Sequence, residues 1–209
     1  MTVPLTPKLS SPTEPPAGAA IVHLTISGDL GSGKSAVAAA LAEQLGYQVV
    51  STGAIQRSIA AAMHLTTLQA NLLAEQDQTI DDQIDSGTQQ LAAQATQPII
   101  FDSRMAWHFV PHCFRVRLTV DPATAAKRVL DRDPAQTEAY QTLDQAAQAL
   151  VDRAASERRR FTTRYGVDIT KATNFDLVID TTRQSVQQVA EQIVCGYNNF
   201  SARRTDEQR

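Results

Sequence analysis

Gly28-Asp29-Leu30-Gly31-Ser32-Gly33-Lys34-Ser35 is the stretch that decides the fold. It matches G-x-x-x-x-G-K-[ST], the pattern of a loop whose successive backbone N–H groups cradle phosphate oxygens. The apolar run Ile21–Ser27 precedes it and the helix-period segment Lys34–Leu45 follows, so the loop joins a strand to the positive end of a helix. The pattern predicts that Gly28, Leu30, Gly31, Ser32 and Gly33 bind the phosphates of ATP through their backbone. Lys34 then bridges the β- and γ-phosphates and Ser35 ligates Mg²⁺.

Outward from the loop, apolar runs at Gln48–Ser51, Pro98–Asp102, Phe114–Val120 and Asp176–Asp180 read as further strands. They are continuous rather than alternating, as strands buried on both faces of a parallel sheet are. Helical periodicity covers Ala54–Met63, Thr67–Glu75, Ile80–Ala95, Pro122–Arg132, Leu143–Tyr165 and Ser185–Tyr197. Strand and helix alternate, which predicts a three-layer, doubly wound, parallel five-stranded α/β sheet with ligands beyond the carboxyl ends of its strands. The stretch between Thr52 and Gln97 is all helical pattern and longer than one crossover needs, so residues 54–97 are expected to form a helical flap.

The chain has 209 residues, 43% hydrophobic and 20% charged, enough for one core. One α/β domain is expected over 21–197, between a flexible Pro-rich tail at 1–20 and a second flexible tail at 198–209. A net charge of −3 and a pI near 5.8 argue against a general nucleic-acid or membrane-surface binder. No apolar run reaches the roughly 20 residues of a membrane span. Cys113 and Cys195 show no metal-like spacing and read as reduced thiols of a cytoplasmic protein. His23, His64, His108 and His112 have no ligand spacing either. Trp107 reads as core or pocket wall.

Asp102 ends the run Ile99–Phe101. A carboxylate at the tip of a buried strand is costly unless it serves a cation, and Mg²⁺ beside the phosphate loop is the candidate; a helix N-cap is the alternative. Arg57, one turn beyond Ser51-Thr52-Gly53, and Arg104, two residues past Asp102, both fall on the carboxyl edge of the sheet, where a guanidinium can grip a phosphate. Within Leu143–Tyr165, spacings of three and four place Arg153, Glu157, Arg160 and Arg164 on one helical face. Arg158, Arg159 and Arg160 are consecutive, which suits a lid closing over a triphosphate better than a purely structural helix.

With these elements in hand, the chain resembles the nucleoside-monophosphate kinases, and among them the short, archaeal-type cytidylate kinases. The residues that carry the resemblance are LTISG (24–28) with GSGKS (31–35), LGYQVVSTGAIQR (45–57), TIDDQID (79–85), DSRMAW (102–107), DRAASERRRF (152–161), YGVDI (165–169) and FDLVIDTT (175–182). It runs from about Ile21 to Ile193. It implies a P-loop kinase domain in which 54–97 bind the acceptor and 133–165 form a short lid with its helix. It further implies ATP as phosphoryl donor, Mg²⁺ as cofactor, and CMP or dCMP as acceptor.

By position, Lys34 and Ser35 match the residues on the ATP phosphates and the metal. Thr52, Gly53, Arg57 and Arg104 match those around the acceptor monophosphate, while Arg153, Arg158 and Arg160 match lid positions that clamp phosphates. Asp102-Ser103-Arg104 stands where such proteins commonly read Glu-Gly-Arg, and Met105-Ala106-Trp107-His108 where they read Leu-Ala-Gly-Trp. Asp still supplies a hard oxygen ligand. Asp81 and Asp85, with Asp82, either read a cytosine amino group or complement the helix dipole. A small-molecule nucleotide is the expected partner and a monomer the expected state. A kinase for another small acceptor and a non-catalytic nucleotide switch stay open at this point.

Overall fold

β1 (His23–Gly28) is buried at every position and forms the centre of the molecule. The computed structural model describes residues 21–55, 63–65, 69, 79–131 and 140–207. After β1 come α1 (Lys34–Leu45), β2 (Gln48–Ser51), α2 (Thr79–Gln94), β3 (Ile99–Asp102), α3 (Ala106–Phe109) and β4 (Cys113–Thr119). α4 (Pro122–Leu130), α5 (Leu143–Tyr165), β5 (Leu177–Asp180) and α6 (Val186–Glu207) complete the order. The sheet is five-stranded in the order β2-β3-β1-β4-β5, and every pairing is parallel. The Pro-rich segment 1–20, all but residue 69 of the predicted helix Thr67–Glu75, nearly all of Ala54–Met63, Arg57 and the lid stretch 132–139 lie outside the described residues.

Alternation along the strands gives the sheet two covered faces. Leu24, Ile26, Ile100, Val116 and Leu118 point to one face and pack against Val37, Ala38 and Leu41 of α1 and Val189, Ala190 and Ile193 of α6. Ile99 and Phe101 point to the other and meet Ala92 of α2 and Ala106 of α3. Each fully buried aliphatic side chain contributes roughly 1.5–3 kcal/mol relative to exposure. α5 is attached through a smaller apolar cluster in which Phe161 packs with Met105, Trp107 and Ile169.

α4 and α5 start where their sequences supply caps. The Asp121 carboxylate accepts the Thr124 N–H at 2.9 Å, and the Thr142 hydroxyl accepts the Gln145 N–H at 3.2 Å. α5 stops where Gly166 N–H turns back to Thr162 O. One boundary is corrected. α6 does not end at Tyr197 with a fraying tail behind it but continues to Glu207. Phe200 sits 5.2 Å from the Phe114 ring, and Arg204 covers Phe200 and lies 2.9 Å from His112 Nδ1. Two anchoring side chains outweigh the polar composition of the last turns.

Candidate active site

The phosphate loop leaves β1 at Gly28, whose φ of +146° places its Cα against β4. A Cβ there would lie 2.1 Å from Leu118 O. Gly31 has φ +78° and would meet Ala125 at 2.9 Å, so α4 closes on the loop too tightly for a side chain. Ser32 Oγ donates to Asp29 O at 2.8 Å, which closes the turn before α1 begins at Lys34.

Lys34 extends back over its own loop, and its ammonium donates to Gly28 O at 3.2 Å and Asp29 O at 2.9 Å. Burial brings its pKa down to about 7, with the Arg104 charge adding to the shift and Asp102 opposing it. Beside it, Ser35 Oγ donates to Asp102 Oδ2 at 2.7 Å, and Ser51 Oγ reaches the same oxygen at 3.1 Å. Asp102 is therefore not a helix N-cap. With Ser35 it forms a pair of hard oxygen donors at the mouth of the loop, which fits Mg²⁺, an ion usually held by one or two protein oxygens plus substrate phosphates. Sequence reading passed over Ser51, which ends β2 one position before the Thr-Gly pair.

Arg104 enters from the β3 side, and its Nη1 donates to the same Gly28 carbonyl oxygen that accepts Lys34. Its backbone is fixed by Trp107 Nε1 and Ser27 Oγ, which donate to Arg104 O at 2.8 and 3.1 Å. Trp107 is thus core and clamp together, on a four-residue helix too short to show periodicity. Arg104 Nε pairs with Glu157 Oε2 at 2.9 Å, and Arg153 Nε holds Glu157 Oε1 at 3.0 Å. Burial pushes the Glu157 carboxyl up, but Arg104, Arg153, Arg160 and Lys34 outweigh it and hold the group below the ordinary glutamate range. Burial likewise lowers Arg104, with Glu157 opposing.

Further from the loop, α2 and α5 face each other through three pairs. Asp81 Oδ2 lies 3.4 Å from Arg160 Nε, Asp82 pairs with Arg164, and Tyr165 OH donates to Asp85. Asp81 and Arg160 are 6% and 7% exposed. Burial raises the Asp81 and Asp85 carboxyls, opposed by Arg160 at the first and by the Tyr165 hydrogen bond at the second. Among the described residues Asp81 Oδ2 is a buried oxygen without a hydrogen-bond partner, held by the charge of Arg160.

One cleft thus gathers Leu30, Gly31, Gly33, Lys34 and Ser35 from the loop with Thr52, Gly53, Asp102 and Arg104 from the strand ends and Asp81, Asp85, Arg153 and Arg160 from the helices. Arg57 lies outside the described residues. Arg158 stands apart from the residues that line this cleft and lines the adjoining cavity instead. Its guanidinium turns to Asp168 at 3.1 Å with 60% of the side chain exposed. Five residues past Arg153 is well off the face that Arg153, Glu157 and Arg160 share. Sequence reading also missed Arg128, which donates to Thr181 O at 2.6 Å and Thr181 Oγ1 at 3.1 Å; that hydroxyl lies 3.1 Å from Ser32 O. A basic residue in the last turn of α4 gave no signal of its own.

A family model described as the cytidylate kinase-like family matches residues 23–183. The chain belongs to the cytidylate kinase-like family. This member is 37% identical to a cytidylate kinase of Natronomonas pharaonis over 83% of its own length and 90% of that protein's. It is 36% identical to a cytidylate kinase of Aeropyrum pernix over 82% of itself and 96% of the relative. A protein of Lacinutrix mariniflava named an S-adenosylmethionine-dependent nucleotide dehydratase is 31% identical over 86% of this chain, which spans 36% of that longer protein. Among solved structures, the shikimate kinase of Bacteroides thetaiotaomicron superposes with a TM-score of 0.52 at 14% identity, covering 83% of this chain and 97% of that one. That likeness shows the doubly wound P-loop kinase fold. As a cytidylate kinase-like protein with a phosphate loop, the chain is a phosphotransferase. Among the described residues no helix is long and apolar enough to cross a membrane.

Proposed function

We propose that the protein transfers the γ-phosphoryl group of ATP to a nucleoside monophosphate, with CMP and dCMP as acceptors. The observation that carries this is the meeting of Lys34 and Arg104 on one oxygen, Gly28 O. A lysine of the donor loop and an arginine from the end of a different strand converge on one point, as an in-line transfer between two phosphates requires. A nucleotide switch would need the lysine and not the arginine.

The roles follow from position. Backbone N–H groups of the loop hold the donor phosphates, and Lys34, Arg153 and Arg160 spread positive charge over the transferring group. Ser35 and Asp102 hold Mg²⁺, which would supply neutralisation of the phosphate oxygens. Thr52, Gly53 and Arg104, with Arg57, take the acceptor phosphate. Arg158 is left out of the set. At the far end of the cleft, Asp81 and Asp85 offer carboxylate oxygens and Arg160 offers N–H donors. That pairing suits cytosine, which presents an amino donor beside acceptor atoms, and opposes uracil, which presents an N–H and a carbonyl there. The printed names of the relatives also concern nucleotides. Free thiols at Cys113 and Cys195 suit a cytoplasmic setting.

The test is ADP release measured in a coupled assay against CMP, dCMP, UMP, AMP and GMP. CMP and dCMP should stimulate release by at least about tenfold over the others, the scale of a lost buried hydrogen-bond pair. A preference for UMP or a purine nucleotide, or no response to CMP and dCMP, defeats the acceptor assignment.

A further inference from the structure

Asp29 is the second residue of the phosphate loop, and it places a carboxylate in a segment that must receive anions. The fold sets that charge aside. Asp29 Oδ1 lies 2.7 Å from Arg117 Nη2, and Asp29 Oδ2 accepts the Val120 N–H at 3.3 Å. Arg117 projects from β4 opposite Ser27 of β1, and its side chain is 8% exposed. Its Nη1 donates to Ile169 O at 2.5 Å, and its guanidinium lies 5.8 Å from the centre of the Phe175 ring. Both terminal nitrogens of the guanidinium are therefore held, one by backbone and one by a carboxylate, with a ring against its face.

The Asp29 backbone is engaged in the donor site itself. Its N–H donates to Leu118 O at 2.8 Å, while its carbonyl accepts Lys34 Nζ at 2.9 Å and Ser32 Oγ at 2.8 Å. Asp29 also lines a second cavity, bounded by Pro122 and Ala125 of α4 and Leu150 and Ala154 of α5, which shares Leu30, Arg104 and Glu157 with the first cleft. One residue thus turns its carbonyl toward the donor lysine and its carboxylate away from it. A buried guanidinium adds little net stability over an apolar side chain of similar volume, so its presence here calls for an electrostatic reason.

We propose that Arg117 is a positioning residue for the donor site: it cancels the charge of Asp29 and holds that carboxylate on the β4 flank of the loop, so that a nucleoside triphosphate meets Lys34 and the loop N–H groups without the Asp29 charge opposing it. The triphosphate is the ligand concerned, and the acceptor plays no part in it. Arg117 does not touch the phosphates; it acts through Asp29.

ATP binding measured by calorimetry without any acceptor separates charge from shape. Arg117→Met should weaken ATP binding by about tenfold or more, and added salt should shrink the loss. Asp29→Asn combined with Arg117→Met should return affinity to within about threefold of the unaltered protein, because the carboxylate that Arg117 neutralised is gone as well. A double variant as weak as Arg117→Met, or an Arg117→Met that binds ATP normally, overturns the proposal. If melting curves show that Arg117→Met does not fold, Arg117→Lys and Asp29→Asn carry the test. Both should bind ATP within about threefold of the unaltered protein, since neither leaves an unopposed negative charge; a tenfold weakening in either overturns the proposal.

Discussion

The proposed donor and acceptor halves of the cleft are built from different materials. On the donor side, contacts come largely from the backbone: Gly28, Gly31 and Ser32 are locked against β4, α4 and the turn after β5, and the long side chains that reach the loop are Lys34, Arg104 and Arg117. On the acceptor side, contacts come from the ends of long side chains that reach between α2, α5 and the end of β3. The first half is rigid because a buried parallel sheet leaves its backbone no alternative. The second is held by ion pairs between helices, which can exchange partners when a phosphate arrives.

That contrast breaks or sharpens under substitution. The largest effect is expected at Gly28→Ala, where the new methyl would collide with the Leu118 carbonyl of the central pairing. ATP binding and turnover should both fall by about a thousandfold or more, as when a preorganised anion site is lost; calorimetry and ADP release read this, and a tolerated alanine would show the donor half to be plastic. Arg104→Met should lower kcat/KM by roughly a hundredfold while ATP affinity stays within a few-fold, because its carboxylate partner Glu157 keeps Arg153.

A smaller change is expected from Tyr165→Phe, which removes one hydrogen bond to Asp85. The acceptor KM should shift by about three- to tenfold with kcat nearly constant, since only ground-state positioning changes. Equal losses in kcat would move Tyr165 from specificity into the chemistry.

The pH dependence near neutrality centres on Lys34. In the free protein Lys34 is half-charged near pH about 7, and bound phosphates favour its ammonium form. ATP binding near pH 8 should therefore take up a proton, and near pH 6, where Lys34 is already charged, it should take up none. Titrations in buffers of different ionisation heat measure the proton count, and Lys34→Met should abolish its pH dependence. The smallest effect is a control outside the comparison: Asp121→Ala removes the cap of α4 and should cost about 1 kcal/mol in urea unfolding with little change in activity.

The same division governs what could be read from the amino acids. β2 and the bounds of α1 and α5 follow directly from pattern and caps, because Thr142, Gly166 and the loop glycines act on near neighbours in sequence. Lys34, Ser35 and Asp102 were legible because one motif and one strand tip specify them. Glu157 as a hub between Arg104 and Arg153 was only half legible: the helical face was evident, but its partner on β3 lies far away in sequence. Asp29 and Arg117, 88 residues apart, gave no local signal at all. The last turns of α6 were hidden for the same reason, because Phe200 finds Phe114 only after the sheet has formed. That Arg158 turns to Asp168 rather than to the face of Arg153 and Arg160 follows from its spacing of five from Arg153.

The oxygen of Gly28 has one more consequence. It lets Lys34 and Arg104 stand near each other only because both lean on it, and Arg104 is the largest nearby charge that depresses the proton affinity of the lysine. On the proposed roles, an acceptor phosphate that neutralises Arg104 would raise the proton affinity of Lys34 again. Thermodynamic linkage makes that favour mutual: whichever nucleotide arrives first tightens the place of the second by the same factor.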